Sequence, residues 1–205
     1  MTDSIAKPFN QRIRIVALRV FFLLALPLIL FSRSPWTHPE WVFEILEVSG
    51  IMLIIFAVLG RFWSILYIGG HKNNTVMQDG PYSICRHPLY LFSTMGVVGL
   101  GLMLGSLILT AFLGVSAFVI LSATARREEA YLRATFGAAY DSYAARVPRI
   151  WPKPSQFQTQ PTVICDVATL RTNFADGLVF LTFIPLAEFM EWIKEIGLVG
   201  TFPLY

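Results

Sequence analysis

Two short groups of residues in this chain have the types and spacing for chemistry. The first is Gly80-Pro81-Tyr82-Ser83-Ile84-Cys85-Arg86-His87-Pro88-Leu89-Tyr90, a polar segment between two long apolar runs. The second is Arg126-Arg127-Glu128-Glu129, beyond one further apolar hairpin. Ionisable groups at the edge of a bilayer are costly and mark function by default. Arginine and histidine can hold a carboxylate, and a tandem glutamate can hold an ammonium, through charge-assisted hydrogen bonds. Brought together, they would bind a zwitterionic group.

Placing them requires reading the apolar runs. The chain has 205 residues, 55% hydrophobic and only 14% charged. Soluble domains carry roughly 25% charged residues, so the composition points to an integral membrane protein. The expected class is all-α, one membrane domain over residues 1–205, with about five transmembrane helices. The first two spans fall within 13–68 (Ile13 to Phe31 and Val48 to Ile68), with a loop over Ser32 to Glu47. A cofactor-binding hairpin and an amphipathic helix occupy 69–152. A C-terminal membrane helix and tail occupy 162–205. A span of about 20 apolar residues crosses the hydrocarbon. Pro27 is placed to kink the first span.

The third span, Pro88 to Leu104, and the fourth, Leu107 to Ala125, are joined only by Gly105-Ser106 and must form a tight helical hairpin. Pro88 suits a helix's first turn. From Glu128 to Val147, Leu132, Phe136, Ala139, Tyr140, Tyr143 and Val147 recur on one face, predicting an amphipathic helix that lies on the membrane or caps a cavity. A last apolar helix is expected over Phe174 to Ile193, spanning or dipping part-way.

Basic residues set the orientation. Lys7, Arg12, Arg14 and Arg19 flank the start. His71, Lys72 and Arg86 follow the second span, and Arg126, Arg127, Arg133, Arg146, Arg149 and Lys153 follow the fourth. The other loops hold little more than Arg33. The positive-inside rule puts the N-terminus and all the candidate chemistry on the cytoplasmic face. A net charge of +3 suits membrane-proximal bases, not a nucleic-acid surface.

Each residue also has a plainer use. Arg86 suits a positive-inside anchor, His87 a helix cap, Glu128-Glu129 a solvated helix start, and Tyr140 and Tyr143 interfacial aromatics. Arg61 inside span two would snorkel or pair with Glu44 or Glu47. Cys85 beside Arg86 is either a reactive thiol or a small buried residue. No disulfide is expected between Cys85 and Cys165 if both face the cytosol. The three histidines are too scattered for a zinc site. Dinucleotide, phosphate-loop and serine-elbow motifs do not occur.

Gly80-Pro81-Tyr82…Arg86-His87-Pro88-Leu89-Tyr90, then Glu128-Glu129, then Phe136-Gly137…Tyr140…Tyr143…Val147-Pro148…Pro152 resembles the isoprenylcysteine carboxyl methyltransferase family, which is related to the phospholipid methyltransferases. The likeness covers about Gly60 to Pro152. It implies an integral membrane enzyme using S-adenosylmethionine without a dinucleotide-type domain. By analogy Tyr82, Arg86, His87, Tyr90, Glu128 and Glu129 shape the cofactor pocket, and Gly69 and Gly70 match a glycine-containing stretch of the phospholipid enzymes. The cofactor would enter from the cytosol and a lipophilic small-molecule or lipid substrate sideways from the bilayer, with neither metal nor nucleic acid involved. Arg146 or Arg149 would hold an acceptor carboxylate or phosphate, unless they contact lipid head groups. The reaction implied is in-line displacement at the sulfonium methyl, where positioning contributes roughly 7–11 kcal/mol. Prenylcysteine carboxylate, phospholipid amine and hydrophobic thiol remain open as acceptors. Membrane sterol-type reductases share an Arg-His-Pro-x-Tyr segment and use NADPH, but Leu89 stands where those tend to have Asn. A non-catalytic membrane scaffold is the plainest alternative.

Overall fold

A computed structural model describes residues 11–36, 40–69 and 75–204, with the side chains of residues 11–14 and 176 outside the description. Gly70, His71 and Lys72, like Lys7 and His38, lie outside the described residues.

The regular secondary structure of the described residues is helical apart from one two-residue pairing. Helices α1 (Gln11–Phe31), α2 (Glu40–Ile68), α3 (Pro81–Ile84), α4 (Pro88–Met103), α5 (Leu107–Phe136), α6 (Ala138–Arg146), α7 (Val167–Leu181) and α8 (Phe183–Glu195) follow in order. Among the described residues, three helical stretches are long and apolar enough to cross a membrane: Glu40–Ile68, Leu107–Phe136 and Val167–Glu195. Ile15–Phe31 and Pro88–Met103 are shorter apolar helices. Many of their outward side chains are large and apolar, such as Leu23, Leu24, Leu59 and Val115. That is the surface lipid would cover.

The packing centres on α4. It lies against α2 on one side and α5 on another. The α2–α4 crossing is close because two glycines face each other. A Cβ added to Gly50 would sit 2.5 Å from the carbonyl oxygen of Gly99. The α4–α5 hairpin forms as its short link requires. Ser106 caps α5, its hydroxyl accepting from Leu109 N–H at 3.1 Å, and the Ser34 hydroxyl donates to the Gly105 carbonyl at 2.9 Å. A core of Ile54, Val97, Leu100, Leu109 and Leu113, joined by Ala25 and Ile29 of α1, fills the interior.

Several boundaries differ from the sequence expectation. The loop thought to reach Glu47 is already helix from Glu40. Glu40, Glu44 and Glu47 are tolerated because the first turns of α2 extend an apolar helix rather than interrupt it. The amphipathic helix is not separate over Glu128 to Val147. Nearly half of it, from Glu128 to Phe136, continues α5, and the break comes at Gly137, whose φ of 52° and ψ of −128° favour glycine. Past it, Tyr140, Tyr143 and Val147 are buried and pack with Leu132 and Phe136, as the periodicity predicts; Ala139 is exposed. The final helix begins earlier than expected and divides at Thr182. Pro185 has no N–H to bond the carbonyl of Leu181, which explains the break.

One end of the bundle gathers the C-terminus of α2, all of α3 and α6, and the starts of α4 and α7. The other end holds the Gly105 turn and a parallel pairing of β1 (Ser32–Arg33) with β2 (Phe202–Pro203). The α7–α8 stretch therefore runs from one end to the other. Replacing Gly50 with alanine should force α2 and α4 apart. A loss of about 1–3 kcal/mol is expected, read as a lower thermal midpoint in detergent; an unchanged midpoint would contradict the close crossing.

Candidate functional site

The polar segment is held in place by main-chain hydrogen bonds from a strap after α6. Arg86 N–H donates to Pro148 at 2.9 Å, His87 N–H to Arg149 at 3.1 Å, and Lys153 N–H to Ile84 at 2.9 Å. Cys85 sits beneath the strap, its thiol directed at the Ile150 carbonyl at 3.1 Å. Burial is the main influence on that thiol and pushes it up to about 12, against the smaller opposing pull of the His87 backbone and Arg86. The residue is a packed, protonated thiol, and both cysteines are free.

Pro88 opens α4 with His87 at the N-cap position, but the ring caps nothing. It turns instead to α5. His87 Nε2 is 3.2 Å from Glu129 Oε1, and Nδ1 is 3.7 Å from Glu128 Oε2. The ring stacks on Tyr90 with centroids 5.4 Å apart, and the Tyr90 hydroxyl donates to Glu128 Oε2 at 2.8 Å. The tight hairpin brings the start of α4 beside the far part of α5. About 20 residues of α5 suffice to cross the hydrocarbon, so Arg126 to Phe136 project beyond it.

Glu129 is fully buried. Arg149 grips it with both arms, Nε donating to Oε1 at 2.9 Å and Nη2 to Oε2. Arg86 Nη1 lies 3.2 Å from Oε1. A buried carboxylate is tolerable only with this density of partners. The four permanent charges of the cluster, Arg86, Arg149, Glu128 and Glu129, balance two against two.

In front of the cluster lies a cavity of about 330 Å³, within the range of small-molecule sites. Of the sequence-predicted residues, Gly69, Tyr82, Arg86, His87, Tyr90 and Glu128 line it. Glu129 does not; it stands behind Arg86 and His87. Arg146 and Arg149 do not line it either. Arg146 Nη2 donates to Gln78 at 2.8 Å on the outside of α6, and Arg149 is committed to Glu129. Gly70 is outside the described residues. Tyr140 and Tyr143 close the cavity from α6, with the Tyr143 hydroxyl donating to the Tyr82 carbonyl at 2.8 Å. Burial, then the nearby Glu128, pushes the Tyr82 hydroxyl well above its ordinary value, so it stays a donor. Ile65, Ile68 and Leu132 make the walls apolar, and Thr169 and Asn173 of α7 complete them. Sequence reasoning missed this α7 contribution, although Thr169 and Asn173 are an i, i+4 polar pair near the start of an apolar helix.

Arg61 is not paired with Glu44 or Glu47. Those residues lie on the same helix, Glu47 about 21 Å away at 1.5 Å per residue. Arg61 donates to Ser93 and lies over the Phe180 ring, 5.2 Å from its centroid.

The groups present fit a cofactor with an amino-acid end. Arg86 and Glu128 offer opposite charges to one cavity. The Tyr82 hydroxyl and Arg86 Nε are buried with no hydrogen-bond partner among the described residues, and the Tyr140 hydroxyl lies beside Arg86. Buried polar atoms seldom go unsatisfied, and a polar ligand would satisfy these.

The comparisons point to a membrane methyltransferase family in general. The phospholipid methyltransferase family model matches residues 45–139, just under half of the chain, and that segment belongs to the family. It is 34% identical to the cobalt-zinc-cadmium resistance protein CzcN of Cupriavidus metallidurans over 97% of each chain. It is 33% identical to the nickel-cobalt-cadmium resistance protein NccN of Alcaligenes xylosoxydans xylosoxydans, over 96% of this chain and 91% of that one. To the protein-S-isoprenylcysteine O-methyltransferase of Schizosaccharomyces pombe it is 31% identical over 38% of this chain and 33% of that one. No solved structure matches.

The two glutamates should separate experimentally. Glu129→Gln leaves two guanidinium groups facing a neutral amide, and breaking such a buried pair costs about 3–5 kcal/mol; both the thermal midpoint and S-adenosylhomocysteine affinity should fall. Glu128→Gln should weaken only the affinity, as should His87→Ala to a lesser degree. Calorimetry and thermal unfolding on detergent-solubilised variants read both quantities. If Glu129→Gln and His87→Ala bind as tightly as the parent, the cavity is not the cofactor site.

Proposed function

We propose that the chain is an integral membrane methyltransferase using S-adenosylmethionine and acting on a lipophilic acceptor. The observation that carries this reading is the cavity that presents Arg86 and Glu128 together, with unsatisfied buried donors on Tyr82 and Arg86. Glu128 would accept the cofactor's ammonium, and Arg86 would hold its carboxylate, aided by the Tyr82 hydroxyl. Tyr90 fixes Glu128 by hydrogen bond, and Glu129 fixes Arg86 and His87 from behind. Ile65, Ile68 and Leu132 keep water off the rest of the ligand. When bound, S-adenosylmethionine supplies an electrophilic methyl on a positively charged sulfur, and its transfer to an acceptor lone pair leaves an uncharged thioether. The leaving group needs no proton, so the site needs no general acid. This agrees with a wall made of fixed ion pairs rather than a poised proton donor.

The likeness to two metal-resistance proteins along nearly the whole chain supports tolerance of cobalt, zinc, cadmium or nickel as the physiological setting. The partial likeness to the yeast enzyme supports methyl transfer as the chemistry. The NADPH reading fits less well, because the Glu128 carboxylate at the cavity would repel nucleotide phosphates. Calorimetry should show S-adenosylhomocysteine binding and no NADPH binding, and methyl-labelled cofactor should transfer label to a lipid-extract component. The reverse selectivity would end the methyltransferase reading.

We further propose five membrane crossings, with the N-terminus and the site facing the cytoplasm. The basic residues flanking the site end support this. A fluorescent-protein fusion at the N-terminus should be bright, and an alkaline phosphatase fusion after Tyr205 should be active; an inactive phosphatase fusion would reverse or shorten the arrangement.

A further inference from the structure

We infer that Trp151 docks the strap on lipid acyl chains of the bilayer, and that this contact holds the Arg86-His87 wall in position. The consequence for cofactor binding rests on the methyltransferase reading above; the contact with lipid does not.

The strap meets the site segment on both sides of Trp151. The Arg149 carbonyl accepts from His87 N–H at 3.1 Å, and Lys153 N–H donates to the Ile84 carbonyl at 2.9 Å. Trp151 stands midway between these anchor points. Its neighbour Ile150 is buried, with its carbonyl facing the Cys85 thiol. Trp151 turns outward and is 74% exposed. A bare indole of that size in water forfeits a large apolar area.

The ring's neighbour shows what covers it. The Trp151 and Phe118 ring centroids are 6.5 Å apart. Phe118 belongs to α5, a helix long and apolar enough to cross a membrane. It precedes Glu129 on that helix by about 16 Å, at 1.5 Å per residue. Arg149 and Trp151 therefore reach the same helix in opposite directions, Arg149 toward its polar end and Trp151 toward its apolar span. Val115, one turn before Phe118, and Val119, next to it, are large apolar side chains left exposed. Lipid covers such a stripe, and Trp151 continues it. Tryptophan suits the boundary, where an apolar ring meets the bilayer and its N–H stays near the polar layer. Lys153 is exposed, and its long stem lets the ammonium rise to the head groups.

The two anchor points make the lipid contact a support of the site. If Trp151 leaves the bilayer, it displaces the carbonyl that His87 N–H uses and the guanidinium that grips Glu129. Trp151 is thus a positioning residue, acting on the wall through the strap.

The full chain in nanodiscs tests this. The chain has five tryptophans, and the difference between the parent and Trp151→Phe isolates the emission of Trp151. Phosphatidylcholine brominated near the glycerol end of an acyl chain should quench that emission, and aqueous iodide should not. Quenching by iodide alone would put the ring in water. Quenching by neither would put it against protein, a second copy included. Either result overturns the inference. Hydrogen–deuterium exchange at the Arg86 and His87 amides reads the coupling to the wall. Trp151→Ser should raise their exchange about fivefold or more, while Trp151→Phe, which keeps an apolar anchor, should stay within about twofold of the parent. S-adenosylhomocysteine affinity should follow the same order, about fivefold weaker in the serine variant. Unchanged exchange in the serine variant overturns the inference, as does unchanged affinity where the parent binds. A parent that shows the lipid quenching and the exchange difference but binds no S-adenosylhomocysteine would remove the methyltransferase reading and leave the lipid-anchored strap standing.

Discussion

The buried carboxylate of Glu129 is the point on which the site depends. It lies at the meeting of three separate pieces of chain: α5, which carries it, the Arg86-His87 segment, and the strap that carries Arg149. An isolated carboxylate in this position would be prohibitively desolvated. Three cationic or potentially cationic side chains make it tolerable, and in doing so they lose their own freedom. Arg86 and His87 are thereby held with their working faces toward the cavity. The Pro148 and Arg149 carbonyls, which accept main-chain hydrogen bonds from the same segment, restrain it from the other side. The tandem glutamates thus divide into one residue that supports the wall and one, Glu128, that forms part of it.

That arrangement needs the hairpin. Glu129 and His87 are 42 residues apart, and only an antiparallel α4–α5 pair with almost no connecting loop brings them to one level. The near contact of Gly50 with Gly99 seats α2 against α4, so that Ile65, Ile68 and Gly69 form the facing wall. A more open crossing would widen the cavity and admit water. The break at Gly137 completes the enclosure, because it redirects the chain into α6 and lays Tyr140 and Tyr143 over the opening. Helix packing at the lipid level and ligand enclosure at the polar end are therefore one structural problem.

Family membership and the full-length relatives fit together on this frame. The matched segment, residues 45–139, contains α4 and α5 and the groups that would hold the cofactor. The parts beyond it are α1, the first turn of α2, most of α6, the strap, α7 and α8. These are free to differ in what they present to the cavity, since the ion-pair cluster needs only Arg149 from them. A shared wall of ion pairs with a changeable facing wall is a physical basis for relatives that carry such different names.

Much of this was legible in the chain itself. Apolar run lengths, the short Gly105-Ser106 link and the Arg-His-Pro/Glu-Glu pairing were enough to place the hairpin and to put His87 against the tandem glutamates. Those features are local, or depend on a single tight connection. The periodicity through Leu132, Phe136, Tyr140 and Tyr143 also predicted the face that packs, although not the break within it. Helix boundaries were less legible, because Glu40 to Glu47 is polar by composition yet helical by continuity. What tertiary structure alone decided was which glutamate faces the cavity, that Arg149 belongs to Glu129, and that α7 supplies Thr169 and Asn173. Each of these depends on the rotation of one helix about its axis relative to its neighbours. Composition and spacing do not carry that rotation; it follows from packing among all the helices at once.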